Sequence, residues 1–209
     1  LKSSGKTPPP YLGDKKDMSR ILVILGHPDN DSLCGEISHR YQQAAESAGH
    51  HCKLLKLGNL EFNPILLHGY KKRTELEPDL VMAIDEIKRA DHLVFVYPTW
   101  WGNLPALLKG FIDRTFLPGI TFQYRENSLR WDKLLKGKSA RLITTMDAPA
   151  FYYKLVYFSP GQRAMRIATL NFCGVSPVKG TIFGPVKTST PEKRTKWLQK
   201  AEELGKRGA

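Results

Sequence analysis

Residues 92–114 read HLVFVYPTWWGNLPALLKGFIDR, and the order of events along this stretch decides the fold. It opens on HLVFVY, apolar at nearly every position rather than at alternate ones, as befits a strand covered on both faces. Pro98 halts the run, because it brings no N–H to a ladder. After a short loop, Pro105 stands in the first turn of a helix over 104–116, with Leu107, Leu108, Phe111 and Ile112 as its buried stripe. A buried strand feeding an amphipathic helix is half of a βαβ unit, and such units build parallel sheets with helices on their faces.

The same alternation extends in both directions. Upstream, residues 20–26 (RILVILG) form a first buried strand and 32–49 a helix that stops at Gly49. A second strand covers 51–57, a loop around Asn63-Pro64 covers 60–72, and a helix over 75–90 turns Leu80, Ala83, Ile84 and Ile87 to one side. Downstream, 120–124 is a short extra strand or lid segment, 139–146 a fourth strand, 160–174 a helix closed by Gly174, and 175–184 a fifth strand. Thr190 then caps a last helix that has Pro191 in its first turn. Five strands alternating with helices predict a doubly wound α/β three-layer sandwich, whose ligands bind at the carboxyl ends of the strands. The loops after strands one, three and four are therefore the ones that carry chemistry.

Composition narrows the function. A chain of 209 residues with 41% hydrophobic and 25% charged residues makes one globular domain. No apolar run approaches the roughly 20 residues of a membrane span. Residues 1–17, rich in Ser, Gly, Pro and Lys, read as a tag-like or flexible extension without the apolar core of a secretory signal, leaving 18–209 as the domain. Cys34, Cys52 and Cys173 form no CxxC pair, which favours a reducing compartment and hence the cytoplasm. The net charge of +12 suits nucleic acid, an anionic membrane or an anionic cofactor and substrate. The cations are dispersed, apart from Lys71-Lys72-Arg73 and the last helix, so nucleic acid is not the expected partner. The six histidines (27, 39, 50, 51, 68 and 92) have no metal-ligand spacing, and no GxSxG elbow is present. No metal site and no hydrolase are expected.

The first loop, from Gly26 to Cys34, is neither GxGxxG nor a Walker A sequence. It enters a helix N-terminus with a hydroxyl at Ser32, which either caps the helix or helps it hold a phosphate. The second loop places Trp100 and Trp101 side by side. At least one of them faces the crevice, where a flat side chain suits a planar aromatic ligand, and Gly102 lets the backbone approach it; packing at the sheet edge or at an interface is the alternative. The third loop runs from Thr144-Thr145-Met146-Asp147 into an aromatic cluster of Phe151, Tyr152, Tyr153, Tyr157 and Phe158.

The motifs LGHPDNDS (25–32), Phe62-Asn63-Pro64, YPTWWGNLPALLKGFIDR (97–114), LPGITFQY (117–124) and TTMDAP (144–149) together resemble the flavodoxin-like NAD(P)H:quinone oxidoreductases, the flavodoxin_2 group. The central motif is the most specific, and the resemblance spans residues 20–204. It implies a five-stranded sheet in order 2-1-3-4-5 and a homodimer with two flavin sites at its interface. It implies FAD or FMN as cofactor, NAD(P)H as donor, and hydride transfer through the flavin to a quinone or similar aromatic acceptor with ping-pong kinetics. By the resemblance, His27, Asp31, Ser32, Leu33 and Cys34 form the phosphate loop. Pro98, Thr99, Trp100, Trp101 and Gly102 lie against the isoalloxazine, and Thr144, Thr145, Met146 and Asp147 at its pyrimidine edge. Tyr152 and Tyr124 are the candidate catalytic residues, and Trp101, Phe122, Tyr124 and Tyr152 the acceptor pocket, with Phe122 and Tyr124 as a lid reaching the neighbouring subunit. Phe158 stands where animal members carry an active-site His, TTMD replaces their TTGG, and Cys34 replaces a more usual Asn; the proton donor and the choice between FAD and FMN stay open. The alternatives are a regulatory subunit of a membrane transporter that keeps this fold, with peripheral membrane association, and a flavodoxin-type electron carrier.

Overall fold

The computed structural model describes residues 18–209, so the extension read at 1–17 lies outside the described residues. Five parallel strands form the central sheet: β1 (Arg20–Leu25), β2 (His51–Lys56), β3 (His92–Pro98), β6 (Ser139–Thr145) and β7 (Val178–Phe183), in the order β2-β1-β3-β6-β7. This is the 2-1-3-4-5 order expected of the five main strands. The register aligns Ile21 with Cys52 and His92, His92 with Ser139, and Ala140 with Val178.

Why the strands are apolar throughout is visible in the two cores. Leu22, Ile24, Phe95, Tyr97 and Leu142 point to one face, under α2 (Pro78–Arg89) and α3 (Ala106–Thr115). The intervening Ile21, Val23, Leu25, Val94, Val96 and Ile143 point to the other, under α1 (Leu33–Ser47) and α6 (Pro191–Arg207). Each fully buried aliphatic or Phe side chain contributes about 1.5–3 kcal/mol of transfer free energy. Thr190 caps α6 through its hydroxyl, which accepts from Lys193 N–H at 3.3 Å.

The differences from the sequence reading fall in the crossover between β3 and β6 and in the one after β6. The segment at 120–124 is β4 (Phe122–Tyr124), paired antiparallel with an unanticipated β5 (Trp131–Lys133). Trp131 anchors that hairpin by stacking on Phe172, ring centroids 4.5 Å apart, and donating its indole N–H to the Phe172 carbonyl. A short helix, α4 (Ala150–Leu155), stands where a loop was read. The helix read at 160–174 is α5 (Pro160–Arg163) running into a π-helical stretch, Ala164–Asn171. No helix of the described residues is long and apolar enough to cross a membrane.

Candidate functional site

At the carboxyl edge of the sheet, the loop after β1 folds onto the start of α1. Ser32 is the N-cap: its hydroxyl accepts from Gly35 N–H at 3.2 Å and donates to the Asp29 carbonyl at 2.8 Å. Asp31 N–H donates to Asp29 Oδ1, and Asp29 N–H to His27 Nδ1. Two glycines let this loop close. A Cβ at Gly35 would lie 1.9 Å from the Asn30 carbonyl oxygen, and one at Gly58 2.2 Å from that of Pro28. The capping reading of Ser32 is thus observed, and the same arrangement aims the first-turn amides, those of Leu33 and Cys34, outward without intrahelical acceptors. The positive end of α1 suits an anion there.

Cys34 contributes main chain only. Its side chain is buried, with Sγ 3.2 Å from Thr145 Oγ1, and burial, against the smaller opposing effect of that hydroxyl, pushes the thiol up to about 12. Thr144 is buried as well, its hydroxyl accepting from Gln162 Nε2 at 3.0 Å. The two threonines, adjacent on β6, thus turn their hydroxyls to opposite faces of the sheet, each to a buried partner. Met146 N–H donates to the Phe183 carbonyl, and Asp147 Oδ1 accepts from Lys187 N–H.

After β3, Trp100 and Asn103 exchange main-chain hydrogen bonds at 3.0 and 2.9 Å. The two residues between them, Trp101 (φ 51°) and Gly102 (φ 73°), have the positive φ that a type I′ turn requires. Trp100 is half-exposed and meets the His27 ring edge-on at 5.5 Å, so the loops after β1 and β3 touch. Trp101 projects fully into solvent. Thr99 N–H donates to the Thr145 carbonyl at 2.7 Å, joining this loop to the one after β6. Pro98, Thr99, Trp100, Thr145, Met146, Asp147 and Val186 line a cleft of about 170 Å³. It is narrow, edged by an aromatic face and by main chain, and open beside the α1 N-terminus, features that fit a planar ring bearing a phosphate tail.

One contributor escaped the sequence reading, and a second was named only as part of the aromatic cluster. Val186, in the loop after β7, forms a wall of the cleft; that loop was not among those singled out, although its place at the carboxyl edge is a signal that could have found it. Tyr153, buried, donates its hydroxyl to the Gly102 carbonyl at 3.1 Å, and Gly161 N–H donates to the same oxygen, so the tryptophan turn is tied down from α4 and α5.

Tyr152 stands half-exposed on α4, its ring edge-on to Tyr157 at 5.2 Å. Phe122 and Tyr124 lie elsewhere. Phe122 is buried against Phe172, while Tyr124 is exposed, and both line a separate groove of about 330 Å³ with Asn103, Ile112 and Phe172. Within one chain the four residues read as an acceptor pocket are thus not gathered in one cavity: Phe122 and Tyr124 line this groove, and Trp101 and Tyr152 do not. Among the described residues no cluster of His, Cys, Asp and Glu could hold a metal.

Comparison with known proteins agrees with this architecture. The profile of the flavodoxin-like fold family Flavodoxin_2 matches residues 19–206. An uncharacterized NAD(P)H oxidoreductase of Haemophilus influenzae is 28% identical over 187 residues, covering 87% of this chain and 92% of that protein. The NAD(P)H dehydrogenase [quinone] 1 of Cavia porcellus is 24% identical, with 90% of this chain and 78% of that one covered. Among solved structures, Smu.1420 of Streptococcus mutans superposes with a TM-score of 0.76 at 30% identity, covering 90% and 98% of the two chains. An NAD(P)H:quinone oxidoreductase of Methanothermobacter marburgensis shares the fold with a TM-score of 0.77 at 24% identity over 90% and 98%. With its sheet order, its carboxyl-edge cleft and a family profile matched almost end to end, the chain belongs to the flavodoxin-like fold family Flavodoxin_2.

Proposed function

We propose that this chain is an NAD(P)H oxidoreductase that carries a flavin in the cleft beside Trp100 and reduces a quinone or similar aromatic acceptor. The observation that carries the reading is the cleft itself: the loops after β3, β6 and β7 line one narrow, aromatic-edged slot, the loop after β1 meets its Trp100 wall through His27, and the α1 N-terminus touches Thr145 through Cys34. The names of the relatives support the same activity class.

A bound FAD or FMN would supply the two-electron chemistry, accepting from NAD(P)H and passing to the acceptor. The chain's own parts do the rest. The main-chain N–H groups of Ser32, Leu33 and Cys34 hold the phosphate, while the Ser32 hydroxyl stays committed to Asp29 and Gly35. Trp100 offers a flat apolar wall to the ring. Met146 N–H is committed to Phe183, so main-chain donors to the ring's polar edge come from Asp147 onward. Tyr152, on the helix whose Tyr153 ties down the tryptophan turn, donates a hydrogen bond or proton to the reacting acceptor. Donor and acceptor use the same open face in turn, giving ping-pong kinetics. The site is completed by a second copy, whose Phe122 and Tyr124 surface closes over it, and the enzyme works in the cytoplasm.

The test is the visible spectrum of the purified protein, mass identification of the released cofactor, and NADH and NADPH oxidation with a quinone. A yellow protein giving parallel double-reciprocal plots is expected; a colourless one that binds neither FMN nor FAD and oxidises no reduced nicotinamide overturns the reading. Tyr152→Phe is expected to lower the acceptor half-reaction about 10²-fold or more while leaving flavin content unchanged, as read by stopped-flow absorbance.

A further inference from the structure

The basic run Lys71-Lys72-Arg73 takes no part in the cleft. It ends a loop over residues 65–73 that leaves the fold between β2 and α2. The base of this loop is fixed. Pro64 packs against α3, where a Cβ at Gly110 would lie 2.3 Å from its Cβ, and half-buried Leu66 lines a small cavity with Leu117, Pro118 and Ile120. Beyond that base the main chain closes on itself in tight turns. Leu67 N–H donates to the Ile65 carbonyl at 3.0 Å, Gly69 N–H to that of Leu66 at 2.9 Å, and Lys71 N–H to that of His68 at 3.2 Å. Gly69, with φ 54°, supplies the left-handed residue that so abrupt a path requires.

The side chains that these turns project are apolar or basic. Ile65, Leu67 and Tyr70 are 61%, 60% and 73% exposed, and His68, Lys71, Lys72 and Arg73 stand exposed between and after them. From residue 62 to residue 74 the sequence holds no Asp or Glu, and none of the three cations belongs to an ion pair among the described residues. Single exposed apolar side chains are ordinary on a protein surface, but a group of them on one short loop beside unanswered cations is not. Tyr70 also borders the groove of Phe122 and Tyr124, so Ile65 and Leu67 are the apolar tips free of that groove. The combination fits a surface that is anionic outside and apolar just beneath. Acidic lipid headgroups answer the cations, and the boundary below them takes up aliphatic side chains. A nucleic acid would answer the cations and leave Ile65 and Leu67 in water. The net charge of +12 draws the chain toward such a surface from a distance.

We propose that this loop docks the protein on an anionic lipid bilayer, with Ile65 and Leu67 entering the headgroup boundary and Lys71, Lys72 and Arg73 held by the lipid phosphates. The docking is independent of what the cleft binds.

Co-sedimentation of the full-length protein with phosphatidylcholine vesicles, with and without phosphatidylglycerol, tests this. Binding is expected only with the anionic lipid, weakening as salt rises from about 20 to 300 mM. Lys72→Gln is expected to lower the partition coefficient about fivefold and Leu67→Ser about tenfold, both with the wild-type melting temperature. Equal binding to the two kinds of vesicle, binding to neither, or binding that Lys72→Gln or Leu67→Ser leaves intact overturns the proposal. So does loop-dependent binding to poly(U) that exceeds binding to vesicles, the mark of a nucleic-acid site.

Discussion

Trp101 is the residue whose backbone and side chain disagree. Its positive φ is a conformation that Gly and Asn adopt readily and a tryptophan does not, while its ring gains no burial in return. Strain kept at an exposed aromatic beside a ligand cleft marks a residue retained for what it touches. Trp101→Asn is therefore expected to raise unfolding stability by about 1 kcal/mol while raising KM for the acceptor, a combination that urea melts and steady-state kinetics detect together. His92 poses the opposite problem, a residue whose surroundings resist its charge. Burial first, then Arg141, Lys179 and His50, hold its imidazole at about 4, below the ordinary 6.5. The unfolded chain takes up this proton as pH falls through 6.5, whereas the native state resists until about 4. Its contribution is full above 6.5 and is lost through that window, about 3 kcal/mol in all. His92→Gln is expected to flatten this part of the stability–pH curve, as urea melts between pH 7 and 4 would read.

Elements here are held in place by a few polar ties laid over apolar packing. Arg114, at the end of α3, is 1% exposed and donates to the Asn63 and Glu75 carbonyls and to both oxygens of Glu77, whose carboxylate also accepts from Asn63 N–H. The main-chain and arginine hydrogen bonds hold the Glu77 carboxyl below its usual range, although desolvation opposes them. One guanidinium thus pins both ends of the loop from 63 to 77. Removing it leaves a buried carbonyl and a carboxylate unanswered, so Arg114→Met is expected to cost about 3–5 kcal/mol and to speed amide exchange across residues 63–77 before the strands. That tie was not legible in the sequence, where FIDR reads as an apolar stripe followed by surface charge. The strands were legible because burial on both faces leaves no room for polar positions, as in RILVIL and HLVFVYP. The Trp131–Lys133 strand was not, since two of its three residues are charged and its pairing depends on a distant phenylalanine. Nor was α4, six residues of which only Tyr153 is buried, because so short and aromatic a segment carries no helical stripe. The tryptophan turn and the capped loop stood out at once through their residue types, but the roles of Tyr153 and Val186 depend on where separate loops meet.

For the molecule as a whole, the surface around the cleft is hard to reconcile with a lone chain. Phe151, Leu155, Val156 and Phe158 crowd one short helix and the loop after it, all exposed, next to an exposed Trp101. A monomer rarely leaves such a patch bare. Phe122 and Tyr124 meanwhile sit in a groove of their own rather than in the cleft. The second copy proposed above would answer both facts, covering the patch and bringing its Phe122–Tyr124 surface to the site. Each chain carries a net +12, so two copies repel one another at long range while the patch attracts at contact. Salt screens the first effect and not the second. Sedimentation is accordingly expected to show a dimer whose association tightens from about 20 to 300 mM salt, the reverse of what an anionic membrane or a nucleic acid would show. Leu155→Lys combined with Phe158→Lys is expected to yield a folded monomer with weakened flavin retention. A monomer that keeps its flavin and full activity at every salt concentration would show that one chain builds the whole site.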